Sequence, residues 1–278
     1  MDNYMYNISS FPNNSKIEDA QVVVFGVPLD STVDYIPGTR FGPKIIREAA
    51  NFIEPFDIET KKNLLDEVKI VDIGDIEPVR GNAEKTLERI EEQVKEIINA
   101  KKFPLMLGGE HLISLGAVKA FPKGTKIVSF DAHYDLKEVW EGSEYTHNTW
   151  LRRLSEIIGK RNVCIIGARC GDEFEDEYSK DILVNPDSNK LKNFIKGRDI
   201  YLSVDMDVFD PSIAPGIGTP EPDGMKYHEF IEKLKMICEF ANIVGLDITE
   251  TRPLGENKIT EILAGKLIFK ILDYEFIQ

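Results

Sequence analysis

Short apolar runs alternate with longer helical patterns along this chain, and that alternation restricts the fold more than any other feature. The runs are rich in Val, Ile or Phe, are bounded by Gly, Pro or charged residues, and predict buried strands. They lie at 21–27, 69–73, 103–107, 126–130, 162–167, 199–204 and 241–246, with 182–184 as a weaker candidate. Helical periodicity is clearest at 82–100 and is also present at 43–50, 112–120, 149–158, 226–240 and 258–272.

Strands that are buried on both faces and separated by helices indicate the α/β class, as a three-layer α/β/α sandwich around a mainly parallel central sheet. We expect about eight strands, one for each apolar run. No linker, change of composition or internal repeat divides the chain, so we expect a single domain over residues 1–278. Irregular stretches at 28–42, 136–146 and 209–224 each follow a predicted strand, where open parallel sheets bind ligands.

Charge and composition exclude several classes of function. The net charge of −14 repels phosphate backbones, so we expect no nucleic-acid partner, whereas a cationic substrate or a metal suits it. No apolar stretch approaches the length of a membrane span, so we expect no membrane partner. The three cysteines show no C-x-x-C spacing, which favours reduced thiols in a cytoplasmic protein.

Side chains that bind metals follow three of the predicted strands. The six candidates are His111 after 103–107, Asp131, His133 and Asp135 after 126–130, and Asp205 and Asp207 after 199–204. Carboxyl ends of parallel strands meet at one edge of a sheet, so we expect these side chains to converge. Alternation places Asp131, His133 and Asp135 on one side if the backbone stays extended. Each motif alone favours capping or turn chemistry, but all three together, with only four histidines in the chain, favour a metal site.

Carboxylate and imidazole ligands in this number predict a pair of divalent ions. Bridging carboxylates offset the repulsion between two close ions, and mixed oxygen and nitrogen ligands suit Mn²⁺, Fe²⁺ or Co²⁺. Such a pair lowers the pKa of a water between the ions and supplies a nucleophile near neutral pH. Without a metal, the clustered carboxylates would resist joint ionisation. The residues therefore predict a two-metal hydrolytic centre.

The motifs around these ligands resemble the ureohydrolase family of arginases and agmatinases. They are GGEH (108–111), SFDAHYD (129–135), SVDMDVFDPSIAPGIGTPE (203–221) and GLDITE (245–250), with GVPLD (26–30) and PGTRFGPKIIR (37–47) nearer the N-terminus. The resemblance runs from about residue 20 to 272 in family order, and the APGxGTPE form is similar to agmatinases. It implies an arginase-like sandwich with two Mn²⁺ per subunit, Fe²⁺ and Co²⁺ being alternatives.

The resemblance also implies a role for each matching ligand. It assigns the terminal ligands His111 and Asp135 to one ion and His133 and Asp207 to the other, and it makes Asp131 and Asp205 the bridges. Each ion would thus have a histidine and an aspartate of its own.

Three further residues match family positions near the substrate. Glu250 matches the glutamate that grips the guanidinium through two hydrogen bonds, although by itself it suggests an ion pair with Arg252. His147 matches a proton-shuttling histidine, and Thr219 matches a threonine near the metals. Without the resemblance these two are a loop residue and a turn hydroxyl. Catalytic roles are implied for Asp135, His147 and Glu250.

Three residues depart from the family pattern without removing a ligand. Asn148 stands where Gly often follows the shuttle histidine, and it bears on the conformation of that loop. Glu110 stands where Asp is common, next to the first ligand. Ile217 replaces a frequent Thr in a loop near the substrate.

The implied reaction is hydrolysis of the guanidinium group of agmatine to putrescine and urea, a step of polyamine biosynthesis that breaks a C–N bond of a linear amidine. Loop 136–146 carries Glu138, Glu141 and Glu144, which suit a cationic tail, and only Lys137 as a partner for a carboxylate. N1-aminopropylagmatine, giving spermidine and urea, is the main alternative. Arginine and guanidinobutyrate fit less well.

Two other classes of function compete with a ureohydrolase. A metallophosphoesterase would carry a GNHD or GNHE motif, which is absent. A non-catalytic metal-binding protein would be expected to lack a ligand or Glu250, and none is missing. His228, in the predicted helix 226–240, is expected to be a surface or packing residue. The resemblance finally implies a homo-oligomer, either a trimer or a hexamer.

Overall fold

A nine-stranded sheet forms the centre of the protein in the part that the computed structural model describes, residues 5–6 and 10–277. The strands are β1 (Met5–Tyr6), β2 (Val22–Val27), β3 (Ile70–Ile76), β4 (Phe103–Gly108), β5 (Lys126–Phe130), β6 (Val163–Ile166), β7 (Leu183–Val184), β8 (Asp199–Asp205) and β9 (Asn242–Thr249). Their order is β1-β3-β2-β4-β9-β8-β5-β6-β7, with β1 antiparallel to β3 and every other pairing parallel. The predicted, mainly parallel sheet is confirmed.

Helices cover both faces of this sheet. They are α1 (Gly42–Ala50), α2 (Leu64–Glu67), α3 (Ala83–Asn99), α4 (Ile113–Val118), α5 (Trp150–Ile158), α6 (Glu173–Tyr178), α7 (Ser188–Ile195), α8 (Tyr227–Phe240) and α9 (Ile259–Phe276). Helices α1, α7, α8 and α9 pack in one apolar core, and α3, α4 and α5 pack in the other. The three-layer sandwich is thus confirmed. Within residues 5–6 and 10–277, no helix has the length and apolar character needed to cross a membrane.

Strand β2 illustrates why the runs form buried strands. Val22 and Val24 belong to the core on one face, whereas Val23, Phe25 and Val27 belong to the core on the other. A strand that is buried on both faces has no polar alternation, so it reads as a continuous apolar run.

Four short elements escape the periodic patterns because each is too brief to show one. Helices α2, α6 and α7 and strand β1 were not predicted. Helix α6 begins at Asp172, whose carboxylate accepts the main-chain N–H groups of Phe174 and Glu175. Helix α7 is capped by Asp187, whose carboxylate accepts the main-chain N–H of Lys190. Capping residues therefore mark these two helices better than hydrophobicity does.

The strands that matter for a site are the four neighbours β4, β9, β8 and β5. They are parallel, so their carboxyl ends open at one edge of the sheet. The turn after β4 is pressed against the loop after β2, because Gly109 and Glu110 donate to Val27 and Leu29 carbonyl oxygens at 2.9 and 2.7 Å. Any side chain at Gly109 would collide with the carbonyl of Leu29.

A buried ion cluster ties α1 to β3. Arg47 is 1% exposed; its Nε donates to Asp72 at 2.7 Å and its Nη1 donates to Asp75. Its Nη2 also donates to the carbonyl of Gly74 at 3.0 Å. Burial alone lowers the pKa of Arg47, but Asp72 and Asp75 outweigh it and raise the pKa. Loss of Arg47 would leave two buried carboxylates without a cation.

We therefore expect Arg47→Met to lower the free energy of unfolding by about 3–5 kcal/mol, because an uncompensated buried charge costs that much. Urea denaturation measures the change. Lys44→Met, on the same helix, removes an exposed pair with Glu48 at 3.6 Å and is the matched control. It should change stability by no more than about 0.5 kcal/mol. Equal effects of the two substitutions would contradict the prediction.

Candidate metal centre and substrate cavity

The ends of β4, β5 and β8 bring the six predicted ligands together. Asp205 is the last residue of β8, and the other five lie in the turns that follow these strands. The histidine His133 has 22% of its side chain exposed, and the other five ligands are buried. Two groups of ligand atoms each lie within 4.8 Å of one another, and they share Asp131: His111, Asp131 and Asp135, and Asp131, His133 and Asp207. The predicted convergence is present.

The path to Asp135 differs from the predicted extended backbone. Asp135 has a φ of 53°, in the left-handed region that non-glycine residues seldom adopt. This turn brings its Oδ2 to 3.4 Å from His111 Nδ1. Trp150 Nε1 donates to the same oxygen at 2.7 Å, and the Trp150 ring lies 4.4 Å from the His111 ring. A strained turn, rather than strand alternation, aims Asp135 at the cluster.

Hydrogen bonds fix the ring of His111 in one tautomer. Ser203 Oγ donates to Asp247 at 2.6 Å, so it must accept from His111 Nε2, which lies 2.9 Å away. Tyr201 donates to the other oxygen of Asp247 at 2.7 Å. Nε2 therefore carries the proton in the neutral ring, and the lone pair of Nδ1 faces the carboxylates.

Backbone amides hold one oxygen of each of three aspartates. The N–H of His133 donates to Asp131 Oδ1 at 2.6 Å, and the N–H of Asp207 donates to Asp205 Oδ1 at 2.8 Å. Ala132 donates likewise to Asp207 Oδ1 at 3.0 Å. In each case the second oxygen, Oδ2, is left to face a histidine Nδ1. The turns that supply these amides therefore hold each carboxylate and also set the direction of its free oxygen.

The cluster carries more negative charge than its surroundings neutralise. Burial, reinforced by the charge of Asp131, raises the pKa of Asp135 to about 7. Burial and Asp207 likewise raise the pKa of Asp205 well above its ordinary value. For His111, burial alone lowers the pKa, but the adjacent carboxylates outweigh it and raise the pKa well above normal. A cation in the cluster would remove this frustration.

Two buried atoms show that the residues fit a metal ion. His111 Nδ1 lies 3.0 Å from Asp131 Oδ2 and 3.1 Å from Asp205 Oδ2. Within residues 5–6 and 10–277, neither Nδ1 nor Asp131 Oδ2 has a hydrogen-bond partner. When the His111 ring is neutral, its Nδ1 lone pair and these carboxylate oxygens converge and form the donor set of a divalent ion.

A cavity of about 300 Å³ opens over this cluster. Glu250, His147 and Thr219 all line it, together with the ligands other than Asp131. Glu250 follows β9 with a φ of 60°, and its Oε1 accepts the main-chain N–H of His111 at 2.7 Å. Burial raises its pKa well above the ordinary value. Arg252, the ion-pair partner that the sequence suggested for Glu250, instead donates to the carbonyl of Ile217 at 2.7 Å.

The His147 ring is held by the loop after β2. The ring Nδ1 lies 2.8 Å from the carbonyl oxygen of Thr32, and the main-chain N–H of His147 donates to Thr32 Oγ1 at 3.0 Å. The N–H of Thr32 in turn donates to buried Glu110 at 2.8 Å. A carbonyl only accepts, so Nδ1 carries the proton and Nε2 is free. Glu110, one of the departures from the family pattern, therefore supports the loop on which His147 rests.

The acidic loop 136–146 does not meet the expectation of a negatively charged pocket wall. Glu138 and Glu144 pair with Arg152 and Arg153 at 3.1 and 3.4 Å. Neither they nor exposed Glu141 lines the cavity. Local composition could not reveal this, because the arginines belong to α5, the next helix along the chain. His228 is exposed, as expected.

Sequence reasoning missed the residues that support the ligands. Ser203 and Asp247 lie side by side on β8 and β9, in register. Alternation puts Ser203 on the same face as Asp205, which was a usable signal, but pairing it with Asp247 requires the strand order. A third ligand group, His133, Cys170 and Glu221, was also missed, and it uses the opposite nitrogen of the His133 ring, 3.9 Å from Glu221.

Comparison with known proteins agrees with this site. The sequence profile of the arginase family matches residues 20–273, so the chain belongs to the arginase family. It is 38% identical to an agmatinase of Bacillus anthracis over 278 residues, 95% of this chain and 94% of that one. It is 37% identical to an N(1)-aminopropylagmatine ureohydrolase of Thermococcus kodakarensis over 91% and 90% of the two chains. The crystal structure of agmatine ureohydrolase of Thermoplasma volcanium superposes with a TM-score of 0.88 at 32% identity, covering 97% and 95%.

The support given to His111 predicts that Ser203→Ala weakens Mn²⁺ binding by roughly tenfold to a hundredfold, the usual effect of removing a group that orients a ligand. Calorimetric titration with Mn²⁺ measures it. Ser129→Ala is a close control, because Ser129 is the register partner of Ser203 on β5 and is buried, but its Oγ makes no hydrogen bond. Unchanged affinity in Ser203→Ala would show that the hydroxyl does not orient His111.

Proposed function

We propose that this protein is an agmatinase-type ureohydrolase, which hydrolyses agmatine to putrescine and urea. The observation that carries the proposal is that Glu250 lines the same cavity as five of the six candidate ligands, all except Asp131. Hydrolysis adds one water to the guanidinium carbon and breaks its bond to the substituted nitrogen. The reaction therefore needs an activated water, a group that orients the guanidinium, and a proton for the departing amine.

The six ligands would hold two Mn²⁺ ions as the resemblance divides them. The two ligand groups that share Asp131 support this arrangement, and so does the place of Asp205 Oδ2 3.1 Å from His111 Nδ1. When bound, the ions act as Lewis acids that lower the pKa of water. In the same proposal the chain is one domain, is cytoplasmic and forms a homo-oligomer. Metal analysis of protein purified without added metal, and light scattering, test these points.

Glu250 would orient the guanidinium. Its Oε1 is held by the N–H of His111, so the carboxylate has a fixed direction relative to the first ligand. A planar guanidinium pairs with a carboxylate through two parallel hydrogen bonds, which would keep its carbon over the ligand cluster. The substrate cation would also supply the charge that the buried Glu250 carboxylate lacks.

His147 and Asp135 are the proposed proton carriers. The Nε2 of His147 is the nitrogen that Thr32 leaves free, so it would take a proton and release it to the departing amine. The Asp135 carboxylate borders both the ligand cluster and the cavity, where it would accept a proton from the attacking water. Thr219 lines the cavity and would contact the substrate.

Agmatine is preferred because several relatives at 35–38% identity over most of the chain are named agmatinase. N1-aminopropylagmatine is the second candidate, since relatives from Thermococcus kodakarensis and Synechocystis carry that name. We expect the protein, reconstituted with Mn²⁺, to release urea from these two compounds at least tenfold faster than from arginine or guanidinobutyrate. A colorimetric assay of the urea released measures these rates. Preference for either anionic-tailed compound would contradict the proposal, and inactivity toward all four would favour a non-catalytic metal-binding protein.

Asp131→Asn should remove the second ion and lower turnover by roughly a thousandfold or more, since metal activation contributes several kcal/mol. Metal content per chain and urea release are measured together. Glu141→Gln, which removes one negative charge outside the cavity, should leave both quantities unchanged. If Asp131→Asn bound two ions and turned over normally, Asp131 would not be a bridging ligand.

A further inference from the structure

Seven carboxylates line the cavity, and three of them have no role in the proposed function. The seven are Asp34, Asp135, Asp172, Glu175, Asp205, Asp207 and Glu250. Three of them are candidate ligands, and Glu250 is assigned to the guanidinium. Agmatine carries an ammonium at the end opposite its guanidinium, so a second positive charge must be met away from Glu250. The remaining three carboxylates are the candidates to meet that charge.

Two of the three, Asp172 and Glu175, already share a cation. Lys137 Nζ lies 2.7 Å from Asp172 and 3.3 Å from Glu175. Glu175 also accepts the main-chain N–H groups of Leu136 and Asp172, and Asp172 caps α6. An incoming ammonium would have to break these contacts or approach Lys137, which repels it. This wall of the cavity is therefore the less favourable place for a cationic tail.

Asp34 differs from Asp172 and Glu175 in its surroundings. No Lys or Arg lies within salt-bridge distance of it in residues 5–6 and 10–277. Its backbone is at the surface, but only 22% of its side chain is exposed, because the carboxylate turns into the cavity. The loop that carries it is fixed nearby, where Thr32 is bound to Glu110 and to His147. A partly desolvated, preorganised carboxylate without a cation attracts an ammonium.

Orientation of His147 does not require Asp34. The closest approach, from Asp34 Oδ1 to His147 Nε2, is 3.6 Å, which is too long for a hydrogen bond. The ring is already fixed through Nδ1 by the carbonyl of Thr32. Asp34 thus lines the cavity beside the proposed proton carrier without being bound to it.

We propose that Asp34 binds the distal ammonium of the substrate and gives this site its preference for cationic guanidino compounds. The inference rests on the proposed function and extends it to the far end of the substrate. The nitrogen concerned is present in both agmatine and N1-aminopropylagmatine, as a primary and a secondary ammonium respectively. Asp34 therefore favours both of these compounds over guanidinobutyrate, whose carboxylate it repels. It does not distinguish agmatine from N1-aminopropylagmatine.

The test compares Asp34→Asn with the wild-type protein on three substrates of matched length, after Mn²⁺ loading. For agmatine, kcat/KM should fall by roughly tenfold to a hundredfold, the value of a hydrogen bond between charged groups. Butylguanidine, which lacks the ammonium, should be hydrolysed equally by both proteins. Guanidinobutyrate should be hydrolysed faster by the variant. Glu141→Gln removes the same charge outside the cavity and should change none of these ratios, and Asp34→Glu should recover part of the agmatine activity.

Equal losses for agmatine and butylguanidine would overturn the proposal, because Asp34 would then act through His147 or through the fold. The failure of the proposed function is a separate result, in which the wild-type protein releases urea from none of the three compounds. Calorimetry then replaces kinetics. Tighter binding of agmatine by wild type than by Asp34→Asn, with equal binding of butylguanidine, would sustain the role of Asp34. Absence of any difference, or of agmatine binding altogether, would refute it.

Discussion

The repulsion among buried carboxylates is the constraint on which the rest of this structure depends. Asp131, Asp135, Asp205 and Asp207 are all buried at the ends of adjacent strands, where water cannot screen them. The fold brings them together by giving one oxygen of each to a backbone amide or to Trp150. In Asp131, Asp205 and Asp207 the remaining oxygen then faces a histidine, whereas Asp135 presents to His111 the same oxygen that Trp150 holds. A divalent cation among these carboxylates would offset the repulsion between them.

The fold and the ligands were predictable from the sequence because both depend on local signals. Buried strands appear as apolar runs, and a carboxylate directly after such a run must lie at the edge of the sheet. Asp131 and Asp205 are therefore placed by position alone. Strand order is not local, and the proximity of Glu250 to His111 follows from β9 pairing with β4 across more than a hundred residues. The resemblance, rather than periodicity, pointed to Glu250.

Charge was the least predictable property from sequence. The glutamates of loop 136–146 suggested an acidic pocket, yet two of them belong to ion pairs with α5. Lys137, the cation of the same loop, instead pairs with Asp172 and Glu175 on one wall of the cavity. Asp34 lies in an irregular loop with no periodic signal, so only the folded chain brings its side chain to the cavity. Net charge of a segment reports on solubility, whereas pairing decides what a ligand meets.

The left-handed backbone of Asp135 and Glu250 has a consequence for the limits of stability in this protein. A non-glycine residue in that conformation costs about 1–2 kcal/mol, and two such residues stand at the ends of central strands. Glycine at either position would relax the backbone and discard the carboxylate. The fold thus gives up part of its attainable stability to aim these two side chains. Substitutions at these positions that make the protein more stable would therefore be expected to lower its activity.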